Sequence, residues 1–283
     1  MVQQAVIPNE GRLARARASL RPWRAARITP LTELTQAARL FPPVAMVVTQ
    51  LALTYWLWHA LYAGVKVSAG LDVTQATTFA MLGVLYQQFS TVERWSNGDA
   101  MVQLMTEGTI AFWFVRPVSA RRYYLIRAVG DLAYGGGLAL VAYLACLGIG
   151  AIALPPSWPA AGAALVTLVF GVAITYYLQL ILNLICFWST VNDAAITVVQ
   201  FTTGLLSGAF APLWFFPGWF QDINAFLPFQ TTLNAPLSLY VGRLPVSDLG
   251  AELAVQAAWT AGLALFTWWL WRRAAARVTV LGG

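Results

Sequence analysis

Residues Leu205–Gly242 read LLSGAFAPLWFFPGWFQDINAFLPFQTTLNAPLSLYVG, and the fold turns on how this stretch is interpreted. It starts as an apolar, membrane-like helix and is then interrupted by Pro212, Pro217-Gly218, Pro228 and Pro236. Proline cannot donate a backbone hydrogen bond, so four of them within 25 residues rule out one continuous helix. The composition nevertheless stays apolar and aromatic, with Trp214, Phe215, Phe216, Trp219, Phe220, Phe226 and Phe229. Broken backbone cannot face lipid tails unsatisfied; it belongs in protein, at the headgroup level or beside a water-filled cavity. Two readings follow: an interfacial hairpin that caps a helix bundle, and an external gate over a transport path.

The rest of the chain supplies the bundle. Of 283 residues, 59% are hydrophobic and 10% charged, against about 25% charged in ordinary soluble domains. Several apolar runs are long enough to span a bilayer, so the expected class is an all-α polytopic membrane protein. An N-terminal region, 1–41, carries arginines at 12, 15, 17, 21, 24, 27 and 39. Leu31, Leu34, Ala38 and Phe41 recur in it at helical spacing, the pattern of an amphipathic helix lying on the membrane surface. One six-helix transmembrane domain over 42–272 follows, with spans at about 43–63, 75–92, 131–154, 160–187, 193–211 and 249–271. The broken hairpin lies between the last two, and 273–283 form a tail. The first apolar run starts near Pro42, too late and too long for a cleavable signal peptide.

Charge sets the orientation. With the N-terminus inside, the cytoplasmic segments hold 15 of the 17 basic residues, leaving only Lys66 and Arg243 outside. The positive-inside rule therefore places both termini in the cytoplasm and the broken aromatic stretch on the outer face. The net charge of +6 is a topology signal and gives no reason to expect nucleic acid.

Candidate chemistry is sparse. Cys146 and Cys186 lie inside apolar runs without metal-ligand spacing. The single histidine, His59, reads as a packed or interfacial residue. Asp131, Asp193, Asp248 and Glu252 each fall near the expected start of a span, where the helix dipole favours negative charge. Tyr134-Gly135-Gly136-Gly137 fits close helix packing. The chain has no GxxxxGK[ST], no HExxH and no GxSxG. The longest internal cytoplasmic loop, from Arg94 to Arg127, contains Asp99 as the cap of a short helix ending at Gly108. Met101, Leu104 and Met105 would share a face of that helix, which either docks a partner or packs on its own bundle. Arg116-Pro117 stops any helix there, and Ser119 can start the next.

These elements, taken in order, resemble the permeases of the ATP-binding-cassette (ABC) type-2 exporter class. The resemblance rests on Glu107-Gly108, Arg116-Pro117-Val118-Ser119, Phe187-Trp188, Ser207-Gly208-Ala209 with Pro212, Pro217-Gly218, Leu227-Pro228-Phe229, Pro236 and Gly282-Gly283. It implies a permease subunit beside a second copy or paralogue in the bacterial plasma membrane, driven by separate cytosolic ATPase subunits. On this resemblance Asp99, Met101, Leu104, Met105, Glu107, Gly108, Arg116 and Pro117 would contact the ATPase. Pro212, Phe216, Pro217, Gly218, Pro228, Phe229 and Pro236 would form the external gate. The chain itself would bind no cofactor, since ATP is hydrolysed by the partner subunits. An ATP-independent membrane scaffold and an intramembrane enzyme are the alternatives. Aromatic, weakly charged spans suit amphipathic or lipid-like cargo, including an aromatic cation held by cation–π contacts.

Overall fold

The computed structural model describes residues 37–64, 67–68, 70–90, 120–185, 188 and 193–281. Helix α1 (Ala37–Leu61) leads through a two-residue β-ribbon, β1 (Val67–Ser68) and β2 (Leu71–Asp72), into α2 (Val73–Ser90). The ribbon is antiparallel, with Val67 opposite Asp72 and Ser68 opposite Leu71. Asp72 and Gln75 then cap α2 reciprocally: the Gln75 amide donates to Asp72 Oδ1 at 2.7 Å and the Asp72 amide to Gln75 Oε1 at 3.2 Å. This is a capping box, and it satisfies two amides that the first helical turn leaves open.

Next come α3 (Ala120–Gly148), α4 (Trp158–Ile185) and α5 (Asp193–Ser207). A 3-10 turn (Leu213–Phe215), α6 (Gly218–Ala225) and α7 (Phe229–Tyr240) replace what would otherwise be a loop. A second 3-10 turn (Val246–Asp248) enters α8 (Leu249–Leu281). Among the described residues four stretches are long and apolar enough to cross a membrane: Val44–Leu61, Arg121–Gly148, Trp158–Ile185 and Val246–Ala274. They lie in α1, α3, α4 and, for the last, the second 3-10 turn with α8.

The expected second and fifth spans correspond to α2 and α5, which differ from these four. Helix α2 buries Thr77 and Thr78 almost completely, so these two polar residues face protein. Helix α5 has 15 residues, about 22 Å at 1.5 Å per residue, short of a hydrocarbon core of about 30 Å.

Helix α3 also begins about one third of its length before the expected span. Arg121, Arg122 and Arg127 look like loop residues by charge, yet Tyr124 and Ile126 between them and Ala128 just after are buried. Asp131 is therefore not an N-terminal cap. It lies eleven residues into α3, 4% exposed, one turn after Arg127, which is 8% exposed. Among the described residues this places a buried carboxylate well inside a candidate span, where sequence reading had put it at the start.

The core is organised by α4 and α7. Along α4, Ala163, Thr167, Gly171 and Thr175 recur every fourth residue and are all buried. Small residues at this spacing let another backbone approach closely. The backbone that approaches is α7: a Cβ on Gly171 would lie 2.3 Å from the Thr232 carbonyl oxygen. Pro236 explains why that carbonyl is available, because it lacks the N–H that would bond to the residue four positions earlier.

A buried glutamine completes the junction. Gln256 of α8 donates from Nε2 to the Thr231 carbonyl of α7 at 2.7 Å and to the Thr167 carbonyl of α4 at 3.0 Å. Below this, Tyr86 of α2 shares a 2.9 Å hydrogen bond with Thr175. At the far end, Tyr124 and Ala128 of α3 pack with Tyr176, Leu180 and Leu184 of α4 and with Leu270 and Ala274 of α8.

Candidate functional site

The two helices that flank the break end in the same way, for the same reason. Gly208 after α5 has φ +82 and Gly242 after α7 has φ +77, a left-handed conformation that glycine adopts without a Cβ penalty. At each, the following amide reaches back to the last turn: Ala209 to the Gly204 carbonyl at 3.0 Å, Arg243 to the Ser238 carbonyl at 2.9 Å. Both are Schellman terminations. At Gly242 space matters as well as φ, since a Cβ would meet Pro156 Cγ at 2.9 Å.

After Gly208 the chain folds back onto α5. Phe210 stacks on Phe201, with ring centroids 5.2 Å apart, and its ring fills the space over Gly204. Pro212 is buried and precedes the 3-10 turn, whose aromatics tie the break to the first two helices. Trp214 meets Phe79 of α2 edge-on at 4.6 Å, and Phe215 meets Trp58 of α1 at 5.4 Å. Phe216 is half-buried and stacks on Phe220 at 4.6 Å. Pro217 and Gly218 are exposed at the start of α6, and a Cβ on Gly218 would meet nothing within 4 Å.

Helix α6 caps α5 from outside: Asn224, fully buried, donates Nδ2 to the Leu206 carbonyl at 2.7 Å. Its other side shows Trp219, Ile223 and Phe226 to the surroundings. Pro228, buried, leads into α7, where Phe229 is half-buried and Pro236 is buried. The seven expected gate residues thus fall in two groups. Pro212, Phe216, Pro217 and Gly218 surround the turn and α6, whereas Pro228, Phe229 and Pro236 belong to α7. The eight expected ATPase contacts, from Asp99 to Pro117, lie outside the described residues.

Helix α7 is no surface cap. Thr231, Thr232, Leu233, Ala235, Pro236, Leu237, Ser238 and Leu239 are all buried. Its Thr232 lies against Gly171, the midpoint of α4, and its Leu239 packs on Ala163 and Ala164 near the start of α4. It therefore begins halfway down the bundle and rises to the end where α4 starts. At the top it is held on two sides. Gln75 of α2 donates to the Val241 carbonyl at 3.1 Å. Tyr240 donates to the Ala153 carbonyl at 3.0 Å, which leaves Tyr143 as the donor in the 2.8 Å bond between the two tyrosine hydroxyls.

One face of α7 remains polar. Gln230, Asn234 and Ser238, four residues apart, line a cavity of about 180 Å³ with Ala235, Arg243, Leu244 and Glu252. Sequence reading passed over the three polar residues because each looks unremarkable among apolar neighbours. Their i, i+4, i+8 spacing was the available signal. Glu252 falls in the first turn of α8, where its charge suits the dipole, and it also faces this cavity. Arg243, beside the cavity, lies with its guanidinium 4.5 Å above the Trp214 ring. Partial burial draws its pKa down from the usual guanidinium value.

The remaining candidates are structural. His59 Nδ1 lies 2.9 Å from the Tyr55 carbonyl and must donate to it, while the imidazole stacks on Tyr55 at 4.0 Å. Cys146 is a buried member of the α2–α3–α7 core, and Cys186 lies outside the described residues. Among the described residues no group of His, Cys, Asp and Glu could hold a metal ion.

No match was found among curated proteins or among solved structures. Residues 48–282 match the family model of the ABC-2 family transporter proteins, from the first span to the last described helix and through the broken stretch. The chain thus belongs to the ABC-2 transporter family, and it is a membrane-spanning ABC transporter permease.

Proposed function

We propose that this chain is the membrane-spanning subunit of an ABC exporter, with six crossings in α1, α2, α3, α4, α5 and α8. Family membership supports the transport role. The observation that carries the architecture is α6–α7, folded back into the bundle between α5 and α8 and held by Gly171 and Gln256. In this reading α5 rises only part of the way, and the turn, α6 and α7 complete the outer half of that layer. The arginine distribution puts both termini in the cytoplasm and α7's C-terminal end outside.

Cytosolic ATPase subunits would dock on the segment before α3, through the stretch from Asp99 to Gly108 and through Arg116-Pro117. A second permease copy or paralogue would supply the other wall of the path. ATP-driven closure of the ATPases would then move the bundles between inward- and outward-open states.

The test is copurification. Burying a leucine at an interface is worth about 1.5–3 kcal/mol, so Leu104→Asp should strongly reduce ATPase recovered with the permease at equal membrane expression. Undiminished recovery would remove this segment from the interface. Sidedness is read separately, in a background lacking Cys146 and Cys186, by labelling Ser19→Cys and Ser247→Cys with an impermeant thiol reagent on intact cells. Labelling at position 247 alone is expected; labelling at position 19 would invert the topology.

A further inference from the structure

We propose that the cavity between α7 and α8 is a binding site for a phosphoethanolamine headgroup, a primary ammonium joined to a phosphate. The size of the cavity sets the first limit. At about 30 Å³ per water, 180 Å³ holds the equivalent of about six waters, whereas sites that enclose a drug-sized ligand run to about 300–1,000 Å³. The cavity accommodates a headgroup, with the rest of the molecule outside.

Its chemistry sets the second. Gln230, Asn234 and Ser238 form one polar stripe on a helix whose other positions from Thr231 to Leu239 are buried in the bundle, and Glu252 faces that stripe from α8. Asn234 Oδ1 is buried and accepts no hydrogen bond. An unfilled acceptor beside a carboxylate calls for a donor, and a primary ammonium brings three N–H groups. A trimethylammonium group has none.

The third limit is Arg243, which lines the same cavity. A simple cation would be repelled by it, whereas a zwitterion places its anion on the guanidinium and its ammonium among the acceptors. A hydrophobic surface adjoins it on α8: Val255, one turn after Glu252, is exposed on a helix long and apolar enough to cross a membrane. Acyl chains of a lipid would cover such surfaces while its head enters the cavity.

The experiment uses the delipidated full-length protein in detergent, with occupancy read by native mass spectrometry. The probes are short-chain phosphatidylethanolamine, phosphatidylcholine and phosphatidylglycerol, together with water-soluble phosphoethanolamine. Phosphatidylethanolamine should bind about tenfold tighter than the other two lipids, the effect expected of one added charge-assisted hydrogen-bonding group. Glu252→Gln should erase its advantage over phosphatidylcholine, and Arg243→Gln should weaken both lipids alike. Asn234→Leu provides a second route to the same loss if the glutamate variant does not fold. Competition by phosphoethanolamine at the lipid's own affinity would identify a soluble ligand; competition only by the lipid identifies the membrane as the source. Equal binding of all three lipids, or a preference that survives both Glu252→Gln and Asn234→Leu, would overturn the site.

Discussion

Helices α5 and α7 flank the same break, yet they are built on opposite plans. Helix α5 shows Val198, Phe201 and Thr202 to its surroundings, and its Thr202 hydroxyl bonds only to its own Val198 carbonyl. Helix α7 carries Thr231, Thr232, Asn234 and Ser238, and is among the most buried segments described. In a soluble protein the more polar helix would lie outside. In lipid the outside is as apolar as the inside, so helices associate through close packing and polar contacts. The polar residues of α7 therefore go with its burial, whereas α5 stays exposed although it carries Thr197, Gln200 and Thr202.

The strongest way to break this comparison is to widen a glycine on each side. At Gly171 a methyl group meets a backbone carbonyl of α7, which cannot move without shifting the helix. At Gly204 it meets only the far edge of the Phe210 ring. Gly171→Ala should cost about 1–3 kcal/mol, the usual range for overpacking, and Gly204→Ala a fraction of that. Thermal unfolding of the detergent-extracted protein measures both, and equal losses would deny α7 its place at the centre of the core.

Removing polar contacts should give a smaller contrast in the same direction. Gln256→Leu strips a donor from two buried carbonyls, on α4 and α7, and should cost about 1–3 kcal/mol. Thr202→Val on α5 should stay within about 0.5 kcal/mol, as surface substitutions do. A neutral Gln256→Leu would mean that α8 is held to α7 by apolar packing alone.

The turn and α6 sharpen the comparison further, because they join the exposed helix to the buried one. Phe216→Ala loses a stacked pair worth about 0.5–1.5 kcal/mol. If α6 moves during transport, this variant should change transport per assembled complex while yield falls only slightly. Reduced yield with unchanged transport per complex would leave the segment a purely structural cap.

The smallest effect is expected at Gly218. With nothing near its missing side chain, Gly218→Ala should stabilise the fold by about 0.4–1 kcal/mol by restricting the unfolded chain. Transport lowered in that more stable variant would mark the start of α6 as a hinge, and unchanged transport would remove it from the moving parts.

The helical class, four of the six expected apolar spans and the break after α5 were legible in the residues, because they rest on local rules. Prolines 212, 217 and 228 break the helix wherever the chain goes, whereas Pro236, expected to be a further break, is accommodated inside α7. Gly208 and Gly242 terminate helices by their own conformational freedom. Glu252 sits in the first turn of α8, where charge and dipole agree. Asp131 was misplaced by the same kind of reasoning. Three nearby arginines put the start of the span at 131 although Ser119 offered a helix start, and the helix is in fact under way from Ala120, with Tyr124, Ile126 and Ala128 buried.

What the tertiary structure alone decided is which surfaces meet. An apolar residue in a membrane helix satisfies lipid and protein equally, so hydrophobic periodicity does not identify the buried face. The Gly171–Thr232 approach joins residues 61 positions apart, and Gln256 reaches a carbonyl 89 positions away. Neither partner has a local signature that names the other. Pro236 leaves the Thr232 carbonyl without its helical donor wherever α7 lies; only the packing of α4 shows that a glycine was placed to receive it.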